Sequence, residues 1–445
     1  MILNLSSRRR NWIDGILAAF LLLTAPFFLF PSFRTIWLLA FVPLSLMVRR
    51  MTHGRIFSQT VTDPALLVLA LQMGIGCFLV PDLVFSLPKI TGLAFGLLVF
   101  YYLATFMETE KRLKLGLAGL FSSGLGFSLI GITGMSWDYD SLVFSIVRLL
   151  GINLDKTAYT RKVIPALNKI IPSIRWDLPG AEAGFNANAI GGMLILVLPL
   201  GWALGGLYVR QKKRRNAFLE SRMIGAIWIA ASIVLSVVLF LTLSIAAWAA
   251  LFLGVWIVFF SRRAKFISLT LGVILLGVVL VVFQGEVKRA VDRVSIELDY
   301  EKIEQRLEWW SVGLETISQN PVFGTGMNRM RLHPKIGFKR AHLHNHFLQT
   351  AAEMGLPALI AYLSLLMAAG LMCFQIQKRA GPAWIKKTAL GLGCGQVAHF
   401  FFGWIDSIPL GAKVGLVFWM SLGLITALYI HTFNHYEDRI GEPKA

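Results

Sequence analysis

Long apolar stretches, nearly free of charge in their interiors, recur from one end of this chain to the other and dictate its fold class. A bilayer core about 30 Å thick takes about 20 helical residues, and a backbone inside it must satisfy its own amides and carbonyls. Runs of this kind therefore become transmembrane helices. Twelve candidates occur, at 12–30, 36–48, 65–80, 90–107, 113–132, 187–209, 223–241, 245–260, 266–283, 356–374, 388–405 and 414–430. The second is short and holds Pro43; the seventh and eighth nearly touch but together exceed one crossing. Composition agrees, with 56% hydrophobic and 15% charged residues in 445, where soluble domains carry about 25% charge. The expected fold is an all-α polytopic membrane protein with about twelve spans in a single membrane domain, 1–445. Soluble enzyme folds, disulfide scaffolds and disordered regulators are excluded. Arg8, Arg9 and Arg10 before the first run resemble the start of a signal peptide, but Pro26 and phenylalanines follow instead of a small-residue cleavage site. The run reads as an uncleaved first helix.

A net charge of +19 raises the question of nucleic acid, which the placement of the charges answers. Basic clusters at Arg8–Arg10, Arg49/Arg50/Arg55, Lys111/Arg112/Lys114, 210–222, Arg262/Arg263/Lys265, Lys378/Arg379/Lys386/Lys387 and Arg439/Lys444 all fall at alternate span ends. The short loops between them hold Arg34, Lys89 and Lys413. Basic residues stay on the cytoplasmic side, so both termini are expected to be cytoplasmic and nucleic acid is not an expected partner. Two long segments, 133–186 and 284–355, then lie outside the cytoplasm, the second as a large loop between helices 9 and 10. The inner loops lack a phosphate-binding Gly-x-x-x-x-Gly-Lys-Ser/Thr motif. Cys77, Cys373 and Cys394 sit inside apolar runs without paired spacing, so neither a disulfide framework nor a zinc site is indicated.

The polar interest is concentrated before the tenth span. Of eight histidines, His333, His342, His344 and His346 fall within 14 residues of one another. Imidazole titrates near neutrality and is the natural general base for a hydroxyl acceptor; the competing reading is a set of wet interfacial residues at a helix start. His342 and His346 have the i, i+4 spacing of metal ligands, but no third ligand or His-Glu-x-x-His pattern accompanies them. Asp138-Tyr-Asp140 is a metal-diphosphate triplet of the kind that recurs by chance. Asp406 and His399 are ionisable groups at membrane depth, where a functional role is the default reading, although Asp406 equally suits a helix end.

The stretch around His344 resembles the O-antigen ligase and O-antigen polymerase superfamily of bacterial integral membrane glycosyltransferases. His344-Asn345, nine residues, Gly355, two residues and Ala358 follow the family's outer-loop signature, Ala358 departing from its usual Gly, Thr or Tyr. Arg306 to Trp310 and Asn320-Pro-Val-Phe-Gly-Thr-Gly326 are similar to its Arg-x-x-x-Trp and Asn-x-Pro-x-x-Gly-x-Gly-type segment, and Phe185-Asn-Ala-Asn188 to its Asn-rich step before the sixth span. The ligase-like core would be 187–375, with the site in the 284–355 loop. The resemblance implies a metal-independent inverting transferase without a cofactor. Its donor would be an undecaprenyl-pyrophosphate-linked glycan, and its acceptor the lipid A core or another glycan, at the outer side of the cytoplasmic membrane. His344 would be the catalytic base; Arg306, Arg329, Arg331, Arg340, His342, Asn345 and Asp406 would bind substrate, since guanidinium grips a diphosphate bidentately. The family also tends to have an acid near Asp406. Ile245 stands where it usually has an Arg for the diphosphate, which implies either a displaced diphosphate site or lost activity. Gly324 and Gly326 are assigned to the backbone turn, because they do not form a phosphate cradle.

Two rival readings remain. A transporter or flippase would place charged groups at the midplane on broken helices, whereas these span interiors are nearly free of them. An inactive lipid-glycan binder would account for Ile245. Ligase is favoured over repeat-unit polymerase, although the signature does not encode the acceptor, the sugar, the linkage or the oligomeric state.

Overall fold

Caps and turns decide where the apolar runs become helix. The protein is seen here as a computed structural model that describes the chain apart from residues 1–6, 32–36, 38, 40, 55, 135–186, 211–214, 243, 261–299, 337–341, 380 and 441–445. Among the described residues all regular structure is helical. In chain order the helices are α1 (Ser7–Leu29), α2 (Phe41–His53), α3 (Asp63–Leu79), α4 (Leu83–Phe106), α5 (Glu110–Gly134) and α6 (Ala187–Arg210). There follow α7 (Arg215–Leu241), α8 (Ile245–Phe260), α9 (Tyr300–Gln319), α10 (His346–Lys378), α11 (Ala383–Ile405) and α12 (Leu416–Ile440). Short 3-10 turns occupy Arg329–Leu332 and Lys413–Gly415.

Six of the described helices are long and apolar enough to cross a membrane: α1, α4, α6, α7, α10 and α12. Helices α3 and α8 are apolar but shorter, at 17 and 16 residues, and α5 and α11 form where spans were expected. The second expected span is displaced. Helix α2 has 13 residues and ends in Arg49, Arg50 and His53, cations suited to a helix C-terminus. Arg49 is buried, 3.4 Å from Asp14 of α1 and stacked over the Phe106 ring. His53 and Arg112 approach the same carboxylate, so the ends of α1, α2, α4 and α5 meet in one ion network. The expected ninth span lies outside the described residues. Helix α4 begins before its expected span because Asp82 caps it, accepting from the Phe85 N–H at 3.1 Å.

Helix α6 is the hub. Ile190, Leu194, Val197, Leu198 and Leu200 are fully buried. Apolar side chains gain little from leaving lipid for protein, so close backbone approach through small residues holds such helices together. Gly391 and Gly395 of α11 lie against α6, where a Cβ would come within 2.6 Å of the Leu200 Cα and of the Leu196 carbonyl. Helix α12 meets α4 in the same way, its Trp419 filling the space a side chain at Gly96 would need. On the outside, Leu22 and Ile227 of α1 and α7 point away from the bundle, as lipid-facing residues do. The charged cluster of Asp14 and the turn after α3 lie at opposite ends of α4, and the histidine-rich segment is at the second of these.

Candidate active site

Helix α9 builds one wall. Arg306, Trp309, Trp310 and Gly313 fall on one face by their i, i+3, i+4, i+7 spacing. Trp309 and Val312 pack with Met330, Ile336, Leu343 and Ala352 in a small core of their own. Leu343 is fully buried there and takes the space that a Cβ on Gly313 would need. Its carbonyl accepts from the Trp310 indole at 3.1 Å, and its amide donates to the Gln349 side chain at 2.8 Å. With Leu343 anchored, the alternation of the sequence turns His342 and His344 together to the other side.

Asn345 then starts α10. Its side-chain oxygen accepts from the Phe347 and Leu348 amides, both at 3.0 Å, as an N-cap does. His344, just before it, has φ of 53°, a left-handed conformation that histidine tolerates better than most residues and that functional sites often hold.

The polar side chains converge on Asp406, the C-cap of α11. His344 Nδ1 lies 3.1 Å from Asp406 Oδ1, and His342 Nδ1 lies 3.7 Å from the same oxygen. The Ser407 amide donates to it at 2.8 Å. Trp309 stacks on the His344 ring at 5.5 Å between centroids, and the two imidazoles meet edge to face at 4.4 Å. The Asp406 carboxylate is almost wholly buried, and its Oδ2 is without a partner among the described residues. Burial pushes its pKa up, but the hydrogen bond from His344, the positive field of both histidines and the Ser407 amide outweigh this and hold it below its ordinary value. His344 keeps a fifth of its side chain exposed, so one face of the dyad is open.

Behind the dyad, the segment 320–326 is bound to a break in α10. Gly355 has φ of 81° and ψ of 167° inside that helix, and a Cβ there would lie 2.1 Å from the Val322 carbonyl. The carbonyls that the break frees are taken up by the loop: Thr325 N–H donates to Ala352 O at 3.0 Å and Gly326 N–H to Glu353 O at 2.8 Å. Gly324 and Gly326 both have positive φ. The His-Asn-x9-Gly spacing is thus, in this fold, the distance from helix cap to helix kink.

Of the residues nominated from sequence, the structure brings His342, His344, Asn345 and Asp406 together. Arg306 reaches the rim, its Nη1 donating to the Ile405 carbonyl at 3.4 Å, next to Asp406. Arg329 and Arg331 point elsewhere, to the Leu79 carbonyl and the Phe85 ring at the α3–α4 turn. Arg340, Asp138 and Asp140 lie outside the described residues. His342 and His346 are not one turn apart on a helix, because α10 begins only at His346; His346 is buried against Ser407 and Tyr362. Ile245 is the first residue of α8. Trp309, Gln349 and Ser407 were not singled out from sequence; only the i+3 placement of Trp309 after Arg306 hinted at its role.

Residues 230–363 match the family model described as O-antigen ligase. The matched region runs from α7 through α9 and past the α10 kink, and takes in His342, His344 and Asn345. Asp406 falls beyond it and joins the site only through the fold. No curated protein matches the chain. The apolar helices and this match together indicate an integral membrane protein.

Proposed function

We propose that the protein is a metal-independent, inverting glycosyltransferase of the ligase type. It would move an oligo- or polysaccharide from an undecaprenyl-pyrophosphate-type carrier to a hydroxyl of the lipid A core or another glycan, at the outer face of the bacterial cytoplasmic membrane. The observation that carries this is the His344–Asp406 contact at 3.1 Å. With its Nδ1 proton given to Asp406, the imidazole presents the lone pair of Nε2 outward. Nε2 takes the acceptor proton as the hydroxyl oxygen bonds to the anomeric carbon, and the carbon–pyrophosphate bond breaks with its electron pair leaving on oxygen. Asp406 balances the charge that develops on His344, while Asn345 and His342 fix the ring in place.

A pyrophosphate leaving group calls for positive charge more than for a proton. Arg306 is the group best set to supply it, beside Asp406 and in place of the arginine that Ile245 lacks; Arg329, Arg331 and Arg340 would add to the approach. The ligase-like core would be 187–375, with His344 in the 284–355 segment and Asp406 supplied from beyond it by the end of α11. The Asp14 ion network at the other end of α4 collects residues from two inner basic clusters, those of Arg49 and Arg112, which supports an outward-facing site.

Deleting the gene and comparing surface glycans with lipid-linked glycans tests this reading. Full-length glycan accumulating on its carrier is expected. Accumulation of a single repeat would mean a polymerase, and unchanged glycans would remove the transferase reading.

A further inference from the structure

Lone-pair-bearing atoms converge at the buried Asp406 carboxylate. One proton on His344 Nδ1 serves the 3.1 Å edge to Oδ1. The His342 Nδ1 edge, at 3.7 Å, is too long for a hydrogen bond, that nitrogen accepting instead from the His344 backbone N–H at 3.3 Å, and Asp406 Oδ2 is buried with no partner among the described residues. These donor atoms, one from each side chain, lie within 4.8 Å of one another. A tetrahedral ion with bonds of about 2.1 Å holds its ligand atoms about 3.4 Å apart, and the two measured edges straddle that spacing. Two imidazoles and one carboxylate suit zinc and its neighbours, not magnesium or calcium.

We propose that His342, His344 and Asp406 form a binding site for a zinc-class divalent ion, and that an ion bound there switches the protein off. The ion takes the Nδ1 lone pairs of both histidines, displacing the His344 backbone N–H from His342, and an oxygen of Asp406, leaving its fourth position to water. On His344 the proton moves from Nδ1 to Nε2. The nitrogen that should accept the acceptor's proton then carries one of its own, and its lone pair is gone. Binding stands on the geometry alone, whereas the inhibition rests on the function proposed above.

The test uses the full-length protein in detergent, stripped by chelator and titrated with Co²⁺ as a visible probe. One ion per chain is expected, with the absorption of a tetrahedral site, displaced by Zn²⁺. His342→Ala and Asp406→Asn should lose it, and His333→Ala and His431→Ala should keep it. X-ray absorption of the Zn²⁺-loaded wild type should show two imidazoles and a carboxylate, a readout that does not depend on any variant folding. Release of lipid pyrophosphate should be lost with Zn²⁺ and restored by chelator. No stoichiometric ion, a ligand set without two imidazoles, or binding that survives His342→Ala in a folded protein would overturn the site. A bound ion that leaves release intact would overturn the switch. A metal-free protein that releases nothing, yet binds the ion, would count against the transferase reading and leave the site standing.

Discussion

His344 and Asp406 are 62 residues apart in the chain, and each is held by something local: His344 by the anchored Leu343 before it and the Asn345 cap after it, Asp406 by the end of α11. Removing the carboxylate should leave the imidazole without its orienting partner. Asp406→Asn is therefore expected to lower kcat about a hundredfold with little change in KM, measured as lipid pyrophosphate released; unchanged kcat would remove Asp406 from the mechanism. The same residue gives a pH signature. Its pKa lies below the ordinary aspartate value, because the His344 bond and the two rings outweigh burial. Its contribution to stability is thus complete above about pH 4 and is lost as pH falls through the lowered pKa. Thermal unfolding between about pH 6 and pH 3 should show the wild type losing more Tm than Asp406→Asn, and parallel slopes would contradict the assignment. The histidine cluster and Asn345 were legible in the sequence because they are contiguous. The coupling of His344 to Asp406 and the stacking of Trp309 were not, since no spacing rule links residues brought together by separate helices.

At the scale of elements, α10 carries the site between its cap and its kink. Its apolar span was read from residue 356, but the helix starts at His346, because a cap extends a helix into sequence whose composition looks like a loop. Replacing Asn345 with Ala should cost about 1 kcal/mol and loosen His344 with it. Gly355→Ala should cost more: the φ and ψ there are essentially confined to glycine, at about 1–3 kcal/mol for other residues, and the Val322 carbonyl blocks the new Cβ. Tm of the two variants in detergent checks the order, and a Gly355→Ala protein as stable as wild type would mean that the kink is not needed. Helix α9 was hidden for the opposite reason. It lies within a segment read as a loop, and it is held by Trp309 and Val312 packing on a small core of its own instead of by a long apolar run.

Across the whole molecule, the alternation of apolar runs and basic clusters announced an all-helical membrane protein, and six described helices meet the length and hydropathy of a span. Packing explains why composition alone did not give every boundary. The contact of α6 with α11 depends on Gly391 and Gly395, and that of α2 with α1 on a buried Arg49, neither of which a hydropathy count registers. Gly395→Leu should separate α11 from α6 and move Asp406 with it, lowering Tm and activity together; loss of neither would show that the close approach is dispensable. Reporter fusions should place 210–222 and the C-terminus in the cytoplasm and α9 outside, as the basic clusters require. An α9 fusion that reports from the cytoplasm would overturn the outward-facing site. The central claim, that His344 is the base for glycan transfer from a lipid pyrophosphate, is tested most directly with purified protein, donor and acceptor. Wild type should release lipid pyrophosphate and form the joined glycan without added metal, and His344→Ala should do neither while remaining folded. Full turnover by His344→Ala would contradict the account.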